Sequence, residues 1–402
     1  MPDIVVIGAG QAGASLVARL RSGGFDGAIT LIGEEAVPPY QRPPLSKGYL
    51  LGEMALERLY LRPARYYEEA QIDLRLNARV DRIDPAARHV HVGDEVLPYD
   101  TLVLTTGSVP RRLPAAIGGA LDGVHVVRGL EDVDAMGPRF GPGAKVLIVG
   151  GGYIGLEAAA VAAKKGLDVT LVEMADRILQ RVAAPETSDF FRKLHRAHGV
   201  DIREGVGLDR LLGEGRVTGA RLSDGSEIDA DFVIVGVGIA PGTALAEAAG
   251  LTIDNGIAVD AQGRSSDPAI WAAGDCASFP YREGRLRLES VPNAIDMAEC
   301  VADNIMGAGK PYVPQPWFWS DQYDVKLQIA GLNIGYDRVI TRPGSSDGSA
   351  SFWYYAGDRL LAVDAMNEPR AYMVGKRLID AGKSPPASAV ADPGTDLKSL
   401  LK

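Results

Sequence analysis

The feature that most constrains the fold is a glycine fingerprint that occurs twice in the chain. Residues 4–13 read IVVIGAGQAG, and residues 146–155 read VLIVGGGYIG. Each is a short β-branched run that leads directly into Gly-x-Gly-x-x-Gly. Each is followed by an Ala-rich helical stretch (14–20 or 156–165) and a second apolar strand (28–32 or 169–172). This order of strand, turn, helix and strand is typical of a βαβ unit of roughly 30 residues.

The glycine spacing has a physical meaning in such a turn. The first glycine makes the tight turn, the second lets a pyrophosphate approach the backbone, and the third lets the helix pack against the strand. The phosphates then lie at the positive end of the helix. One copy is weak evidence, because close helix–sheet packing alone also selects glycine. The six glycines are Gly8, Gly10, Gly13, Gly150, Gly152 and Gly155. Two copies favour two dinucleotides, most simply one FAD and one NAD(H).

An acidic residue at the end of the second strand is the next test of the fingerprint. Glu173 closes the segment VTLVE, near the distance of ~20 residues at which a carboxylate binds an adenosine ribose. A carboxylate there repels a 2′-phosphate, so NADH is favoured over NADPH. The equivalent position of the first unit is Gly33, and the acid follows at Glu34. The alternative for both acids is a solvated carboxylate at a strand end.

Length and charge limit the remaining possibilities. A chain of 402 residues exceeds one compact core and predicts two to four domains. The composition, 46% hydrophobic and 23% charged, is that of a globular protein. The net charge of −10 argues against a groove that binds nucleic acid. The two cysteines, Cys276 and Cys300, form no CxxC, which argues against a disulfide framework and a short redox dithiol.

The sequence predicts a soluble cytoplasmic protein. No apolar run reaches the ~18 residues of a membrane span. The N-terminus enters a strand at once, without the basic segment and cleavage site of a signal peptide. We therefore expect no membrane association and no metal cluster, and a monomer or weak dimer.

Further apolar runs complete an α/β pattern with mostly parallel sheets. The buried-strand candidates are residues 102–105, 124–127, 232–237 and 269–273. After about residue 314 the pattern changes to alternating stretches, VKLQIAGL and ASFWYYAGDRLLAVDAMN, which predict antiparallel strands of a smaller α+β domain. From Ser384 the chain is rich in Pro, Ala and Asp, which predicts loose packing.

Five segments, in this order, resemble the FAD-dependent redoxin reductases, the NADH:ferredoxin reductases. They are PYQRPPLSKGYL (39–50), VGGGYIGLE (149–157), AAGDCA (272–277), ESVPNA (289–294) and PWFWSDQYDVKLQIAGL (316–332). The resemblance implies two Rossmann-like domains of the disulfide-reductase type and a C-terminal α+β domain. It places the FAD domain at 1–112 and 243–313, the NAD domain at 113–242, and the C-terminal domain, which covers the flavin and docks the redoxin, at 314–402.

The resemblance also implies an activity. The family takes a hydride from NADH onto FAD and passes electrons singly to a 2Fe–2S ferredoxin. That ferredoxin serves a haem monooxygenase or a ring-hydroxylating dioxygenase. Three catalytic residues follow by position: Lys47 beside the flavin, Glu157 paired with this lysine near the nicotinamide, and Trp319 over the flavin near the docking face. Without the resemblance, Lys47 reads as a solvated lysine, Glu157 as a first-turn helix acid and Trp319 as core.

The same resemblance assigns cofactor contacts. For FAD they are Gly8, Gly10, Ala12, Gly13, Glu34, Arg42, Lys47, Val80, Arg128, Asp275, Ser290 and Val291. For NAD(H) they are Gly150, Gly152, Ile154, Gly155 and Glu173. Ser290, Val291 and Asn293 open a predicted helix that runs to about Met306 and whose N-terminus is expected to face the flavin. Ferredoxin-docking cations are expected at Arg62 and Lys326.

Two rival functions remain open. One is a two-electron NADH oxidase or quinone-type flavin reductase. It is disfavoured because no cysteine follows the PPLSK segment in the way that the oxidases with similar fingerprints require. The other is a NAD(H)-responsive flavoprotein that acts by binding partners, like apoptosis-inducing factor.

Overall fold

The computed structural model describes residues 3–402, and these residues form two compact units. The first unit comprises the residues up to Gln41 together with Ala55–Val109 and Ile239–Pro316. The second comprises Arg42–Met54, Pro110–Gly238 and Trp317–Lys402. Each unit contains one of the two glycine fingerprints. The predicted boundaries of three domains stay a prediction.

A parallel five-stranded sheet forms the centre of the first unit. Its strands, in spatial order, are Ile270–Ala272, Thr101–Leu104, Ile4–Ile7, Ile29–Ile32 and Ile72–Arg75. The central strand is buried along its whole length because helices cover the sheet, which explains its continuous apolar sequence. The first fingerprint helix, Gln11–Ser22, packs against the helix Val291–Ile305.

Smaller elements complete the first unit. One antiparallel array consists of Arg82–Asp84, His89–Val92 and Glu95–Pro98. In a second array, Ala277–Tyr281 pairs with Gly284–Leu286, beside the short strand Ile257–Ala258. Further short strands are Ser108–Pro110 and Ile239–Pro241, and short helices are Leu56–Arg58, Ala64–Glu69 and Ala244–Ala248.

The second unit repeats the parallel arrangement. Its sheet runs Asp201–Glu204, Asp168–Glu173, Lys145–Val149, Phe232–Val235 and Val124–Val126. The second fingerprint helix is Tyr153–Lys164, and the helix Pro185–Ala197 follows the next strand. An antiparallel array of Leu208–Leu212, Gly219–Leu222 and Glu227–Asp229 packs beside them. Shorter helical turns are Pro43–Ser46, Ala115–Ile117, Leu130–Met136 and Gly137–Arg139.

The second unit also contains the predicted antiparallel sheet. Its order is Trp317–Gln322, Val325–Gly331, Arg359–Met366, Ala350–Ala356 and Arg338–Pro343. The helix Pro369–Asp380 packs on this sheet, and the short helices Ala387–Ala391 and Leu397–Leu401 follow. The predicted fold class, two Rossmann-like α/β parts with a C-terminal α+β part, is confirmed.

Two local expectations differ from the structure. Both fingerprint helices begin three residues earlier than the Ala-rich stretches indicate, because the glycine turn itself starts the helix at Gln11 and Tyr153. The loose packing expected from Ser384 is wrong. Val390 and Leu397 lie in the hydrophobic core of the C-terminal sheet. The buried Arg342 guanidinium donates to four carbonyl oxygens between residues 390 and 395.

No helix within residues 3–402 combines the length and the apolar character needed to span a membrane.

Candidate functional site

The first glycine cradle is formed by Gly8, Gly10 and Gly13. Gly8 has φ +113°, and a Cβ there would lie 2.2 Å from the Thr105 carbonyl oxygen. A Cβ at Gly13 would lie 2.1 Å from the Gly8 carbonyl oxygen. Around Gly10, in contrast, nothing lies within 4 Å of a Cβ position. The outer glycines are therefore required by the protein's own backbone, whereas the middle one borders open space.

The second cradle repeats these three environments. A Cβ at Gly150 (φ +108°) would lie 2.4 Å from the Gly236 carbonyl oxygen, and one at Gly155 would lie 2.1 Å from the Gly150 carbonyl oxygen. Nothing lies within 4 Å of a Cβ at Gly152. Both fingerprint helices begin after the middle glycine without a side-chain cap, so their first N–H groups are free for an anion. Each cradle thus fits the pyrophosphate of a dinucleotide.

The two cradles differ at the strand that follows. Glu173 accepts hydrogen bonds from the amide nitrogens of Gly151 (2.7 Å) and Ala175 (2.8 Å). In the first unit the corresponding residues are Gly33 and Ala9, and a Cβ at Gly33 would lie 2.6 Å from the Ala9 Cβ. A side chain therefore fits at position 173 because its neighbour is glycine. The acid of the first unit is displaced to Glu34 because Ala9 fills the space.

Glu34 is exposed and forms a 3.4 Å ion pair with the equally exposed Arg79. Its neighbour Glu35 accepts a hydrogen bond from the Tyr40 hydroxyl. The first unit therefore presents a solvated carboxylate at Glu34 beside a more ordered one at Glu35, which the sequence analysis did not single out.

Other predicted contacts of the first unit gather around its sheet. Ala12 and Val80 are buried in its core. The Asp275 carboxylate accepts a hydrogen bond from the Ser108 hydroxyl at 3.0 Å. Ser290 caps the helix Val291–Ile305 by accepting from the Asn293 amide, so this helix begins where it was predicted.

The second unit contains a buried ion pair. The Lys47 ammonium lies 2.7 Å from Glu157 Oε2, and the two side chains are 19% and 3% exposed. Lys47 follows the helical turn Pro43–Ser46 and also donates to the Pro43 carbonyl oxygen. Glu157 lies on the second fingerprint helix, two residues after Gly155. The predicted Lys47–Glu157 pair is present.

Two serines complete the hydrogen bonding of the Glu157 carboxylate. Ser46 Oγ donates to Oε2 at 2.6 Å, and Ser320 Oγ donates to Oε1 at 2.7 Å. With Lys47, the carboxylate receives three donors, so neither oxygen is left unpaired. Neither serine was predicted from the sequence, because their contacts join three segments that are distant in sequence.

Trp319 and Ser320 are adjacent on the strand Trp317–Gln322, so their side chains lie on opposite faces. Trp319 is half-buried and stacks on Trp317, with ring centroids 5.6 Å apart. Trp317 also contacts Tyr372 and packs against the core of the C-terminal sheet, and both tryptophans are half-buried.

Arg42 and Arg128 meet within the second unit, where the Arg42 guanidinium donates to the Arg128 carbonyl oxygen at 2.9 Å. Ile154, on the first turn of the second fingerprint helix, is 45% exposed. Of the docking candidates, Arg62 lies over the Tyr66 ring in the first unit, and Lys326 is exposed in the second.

The predicted residues thus fall into two groups. The first unit holds Gly8, Gly10, Ala12, Gly13, Glu34, Val80, Asp275, Ser290 and Val291. The second holds Arg42, Lys47, Arg128, Gly150, Gly152, Ile154, Gly155, Glu157, Glu173 and Trp319.

Both cysteines are free thiols. Cys276 is fully buried, and burial raises its thiol pKa. Burial also raises the pKa of Cys300. A thiol of raised pKa is a poor nucleophile, so neither residue has the character of a redox cysteine.

Comparisons with known proteins agree with this geometry. The family model described as pyridine nucleotide-disulphide oxidoreductase matches residues 2–298, and one described as reductase C-terminal matches residues 317–401. A ferredoxin–NAD(P)⁺ reductase of Sphingomonas sp is 44% identical, covering 99% of this chain and 97% of the relative. Rhodocoxin reductase of Rhodococcus erythropolis is 42% identical, with 99% and 94% covered. The crystal structure of the covalent putidaredoxin reductase–putidaredoxin complex is 39% identical, covers 100% of this chain and 98% of that one, and has a TM-score of 0.95.

Proposed function

The chain belongs to the pyridine nucleotide-disulphide oxidoreductases, and among them to the ferredoxin–NAD(P)⁺ reductases; on that premise we propose that it oxidises NADH and reduces a small 2Fe–2S ferredoxin. When bound, FAD supplies the conversion between one two-electron hydride and two single electrons. The ferredoxin in turn serves a haem monooxygenase or a ring-hydroxylating dioxygenase.

The observation that carries the proposal is the buried ion pair between Lys47 and Glu157, in which Glu157 lies on the helix of the second cradle. Burying two charges costs free energy that their attraction seldom recovers, so a buried pair is weak as a device for stability. Both oxygens of the Glu157 carboxylate accept hydrogen bonds, and Glu157 lies on the helix that contains Gly155 and is capped by Gly152. That placement supports a role beside the reacting end of the nucleotide.

The roles of the individual residues follow from their contacts. Glu157 holds the Lys47 ammonium, and Ser46 and Ser320 hold Glu157. The ammonium then provides a fixed positive charge where negative charge arrives during reduction. The two cradles bind pyrophosphates through free helix N–H groups. Asp275, Ser290 and Val291 serve FAD in the first unit, together with Ala12, Glu34 and Val80. Arg42 and Arg128 are assigned to the FAD as well.

Preference for NADH rests on Glu173. Two backbone amides fix its carboxylate at the end of the strand. Lone pairs remain on both oxygens for a ribose hydroxyl, whereas a phosphate would meet like charge.

Ferredoxin docking is assigned to the face of the second unit that presents Trp319, with Lys326 as a cation of that unit. Arg62 is assigned separately as a docking cation of the first unit. The net charge of −10 requires positive charge to be concentrated locally wherever an acidic partner docks. We assign a cytoplasmic location and a monomer or weak dimer.

The decisive experiment compares electron acceptors. Purified protein with FAD should oxidise NADH rapidly with a 2Fe–2S ferredoxin from its own organism. Fast oxygen consumption without ferredoxin would favour the NADH oxidase or quinone-type reductase. Slow turnover with NADH-driven dimerisation would favour the partner-binding flavoprotein. Reduction of ferricyanide but of no ferredoxin from that organism would contradict the proposal.

A further inference from the structure

A chain of three hydrogen bonds leads from the Glu157 carboxylate to His195, and a fourth continues from His195 to Tyr323. Ser320 Oγ lies 2.7 Å from Glu157 Oε1, and Gln322 Nε2 lies 3.1 Å from Ser320 Oγ. Gln322 Oε1 lies 2.8 Å from His195 Nε2, and the Tyr323 hydroxyl lies 3.2 Å from His195 Nδ1. All of these residues belong to the second unit. The chain connects the ion pair to the helix Pro185–Ala197.

The direction of every bond in this chain is fixed from its inner end. A carboxylate only accepts, so Ser320 donates to Glu157 and must accept from Gln322. The amide then presents its NH₂ to Ser320 and its oxygen to His195. That oxygen requires a proton on His195 Nε2, and a neutral ring therefore accepts from Tyr323 through Nδ1.

Burial leaves the hydrogen bonds of this chain no alternative partners in water, so their directions are strictly determined. Ser320, Gln322 and His195 are completely buried, and Glu157 is nearly so. A buried polar group that loses its hydrogen-bond partner is destabilising, so reversing one bond of the chain disturbs all the others. Burial lowers the pKa of His195 to about 4, which is consistent with a neutral imidazole. Charge repulsion by the titratable neighbour His198 lowers the pKa of His195 further.

We propose that His195 is a positioning residue for the proposed reductase site: acting through Gln322 and Ser320, it holds the Glu157 carboxylate in the orientation in which Oε2 meets Lys47. Residues 320 and 322 lie on one face of one strand, so the strand transmits the position of the imidazole to the carboxylate. The amide of Gln322 is a poor proton carrier, so the chain orients groups and does not conduct protons. This inference rests on the proposed function for its kinetic consequence but not for its geometry.

The first test observes the imidazole directly. The chain has five histidines, so ¹⁵N-histidine labelling of the FAD-loaded protein gives few signals, and His195→Gln assigns the one of interest. We expect a neutral ring with the proton on Nε2 at pH 7, unchanged at pH 5.5. Ser320→Ala should shift this signal. A ring protonated on Nδ1, a cationic ring at pH 7, or a signal insensitive to Ser320→Ala would overturn the proposal.

The second test uses a matched pair of variants with NADH and ferricyanide. In His195→Gln the amide can replace the Nε2 donor, whereas His195→Leu has no donor. We expect His195→Leu to lower kcat about tenfold while KM for NADH stays within about twofold, and His195→Gln to retain most of kcat. Equal kcat in both variants, at either level, would contradict a positioning role.

A double variant separates transmission from local damage. His195→Leu combined with Ser320→Ala should lose no more activity than the worse single variant, because both break one chain. Additive losses would overturn the inference. FAD absorbance and the thermal midpoint establish that each variant is folded. The labelling test needs neither NADH nor ferredoxin, so failure to reduce ferredoxin would affect only the proposed function.

Discussion

The Glu173 carboxylate accepts a hydrogen bond from the Gly151 amide nitrogen at 2.7 Å, and this contact distinguishes the two cradles. Where Gly151 leaves room for an acid, Ala9 in the first unit faces Gly33 and leaves none. The repeated glycines are equivalent, but the small residue between them determines which strand end carries a carboxylate. The second cradle is therefore the one adapted to discriminate at the ribose.

Replacing this carboxylate should alter the choice of nucleotide. We predict that Glu173→Arg raises KM for NADH and improves the use of NADPH, because an attractive guanidinium replaces a repulsive charge beside the 2′-phosphate. Steady-state kinetics with both nucleotides measure the change, with Glu34→Arg as a matched substitution in the other unit. Unchanged preference in Glu173→Arg would remove Glu173 from the ribose site.

The two kinds of glycine in a cradle should respond differently to one methyl group. Gly10→Ala places its Cβ in open space, so we expect the apoprotein to keep its thermal midpoint while FAD binds more weakly. Gly13→Ala places its Cβ against the Gly8 carbonyl oxygen and should destabilise the apoprotein itself. Calorimetry and FAD titration of both variants test this. A destabilised Gly10→Ala apoprotein with normal FAD affinity would contradict the assignment.

The sequence predicted the parts of the fold that depend on local patterns. The strands that flank the two fingerprints, the helix from Val291 and the three inner strands of the antiparallel C-terminal sheet were found within about two residues. The two outer strands of that sheet, Trp317–Gln322 and Arg338–Pro343, were not predicted. Buried parallel strands are continuous apolar runs, and the turn glycines are required by the adjacent backbone, so both leave a signal in neighbouring residues.

Other features depend on contacts between distant segments and left no local signal. Ser46 and Ser320 meet Glu157 from positions over 100 residues away, and serine carries no mark of such a contact. The chain from Ser384 looks polar and irregular, yet a single buried arginine, Arg342, donates hydrogen bonds to four of its carbonyl oxygens. Lys47 and Trp319 were proposed as site residues through family resemblance, since their local sequence patterns alone favoured a solvated lysine and a core tryptophan.

Trp319 should matter for the protein acceptor more than for a small one. We predict that Trp319→Ala slows ferredoxin reduction by about tenfold and ferricyanide reduction by much less, because only a docked protein uses that face. Trp319→Phe, which keeps an aromatic ring, should lie between. Equal effects on the two acceptors would remove Trp319 from the docking face.

Asp364 should control how stability changes with pH. Its buried carboxyl accepts from Thr187 and Tyr354, and burial raises its pKa to about 6 from 3.8. The folded protein therefore binds more protons than the unfolded chain between these values. This contribution to stability is complete below about pH 4 and is lost as pH rises through 6, a change of about 3 kcal/mol.

Asp364→Asn removes that loss. Between pH 4 and pH 8 the free energy of unfolding of the unsubstituted protein should fall by about 3 kcal/mol more than that of the variant. His195 acts in the opposite direction: its folded pKa of about 4 lies below 6.5, so its contribution is lost as pH falls through this range. Denaturant unfolding of the FAD-loaded proteins at several pH values measures both. Parallel stability curves for Asp364→Asn and the parent would contradict the Asp364 assignment.

The central claim is that two dinucleotides act in one chain, so that reducing equivalents pass from NADH to FAD and then to ferredoxin. The most direct measurement is anaerobic stopped-flow absorbance of the FAD-reconstituted protein, mixed first with NADH and then with oxidised 2Fe–2S ferredoxin. We predict a yellow protein whose flavin band is bleached rapidly by NADH and restored as the ferredoxin is reduced. A protein that stays colourless after incubation with FAD, or a flavin band that NADH leaves unchanged, would contradict the account.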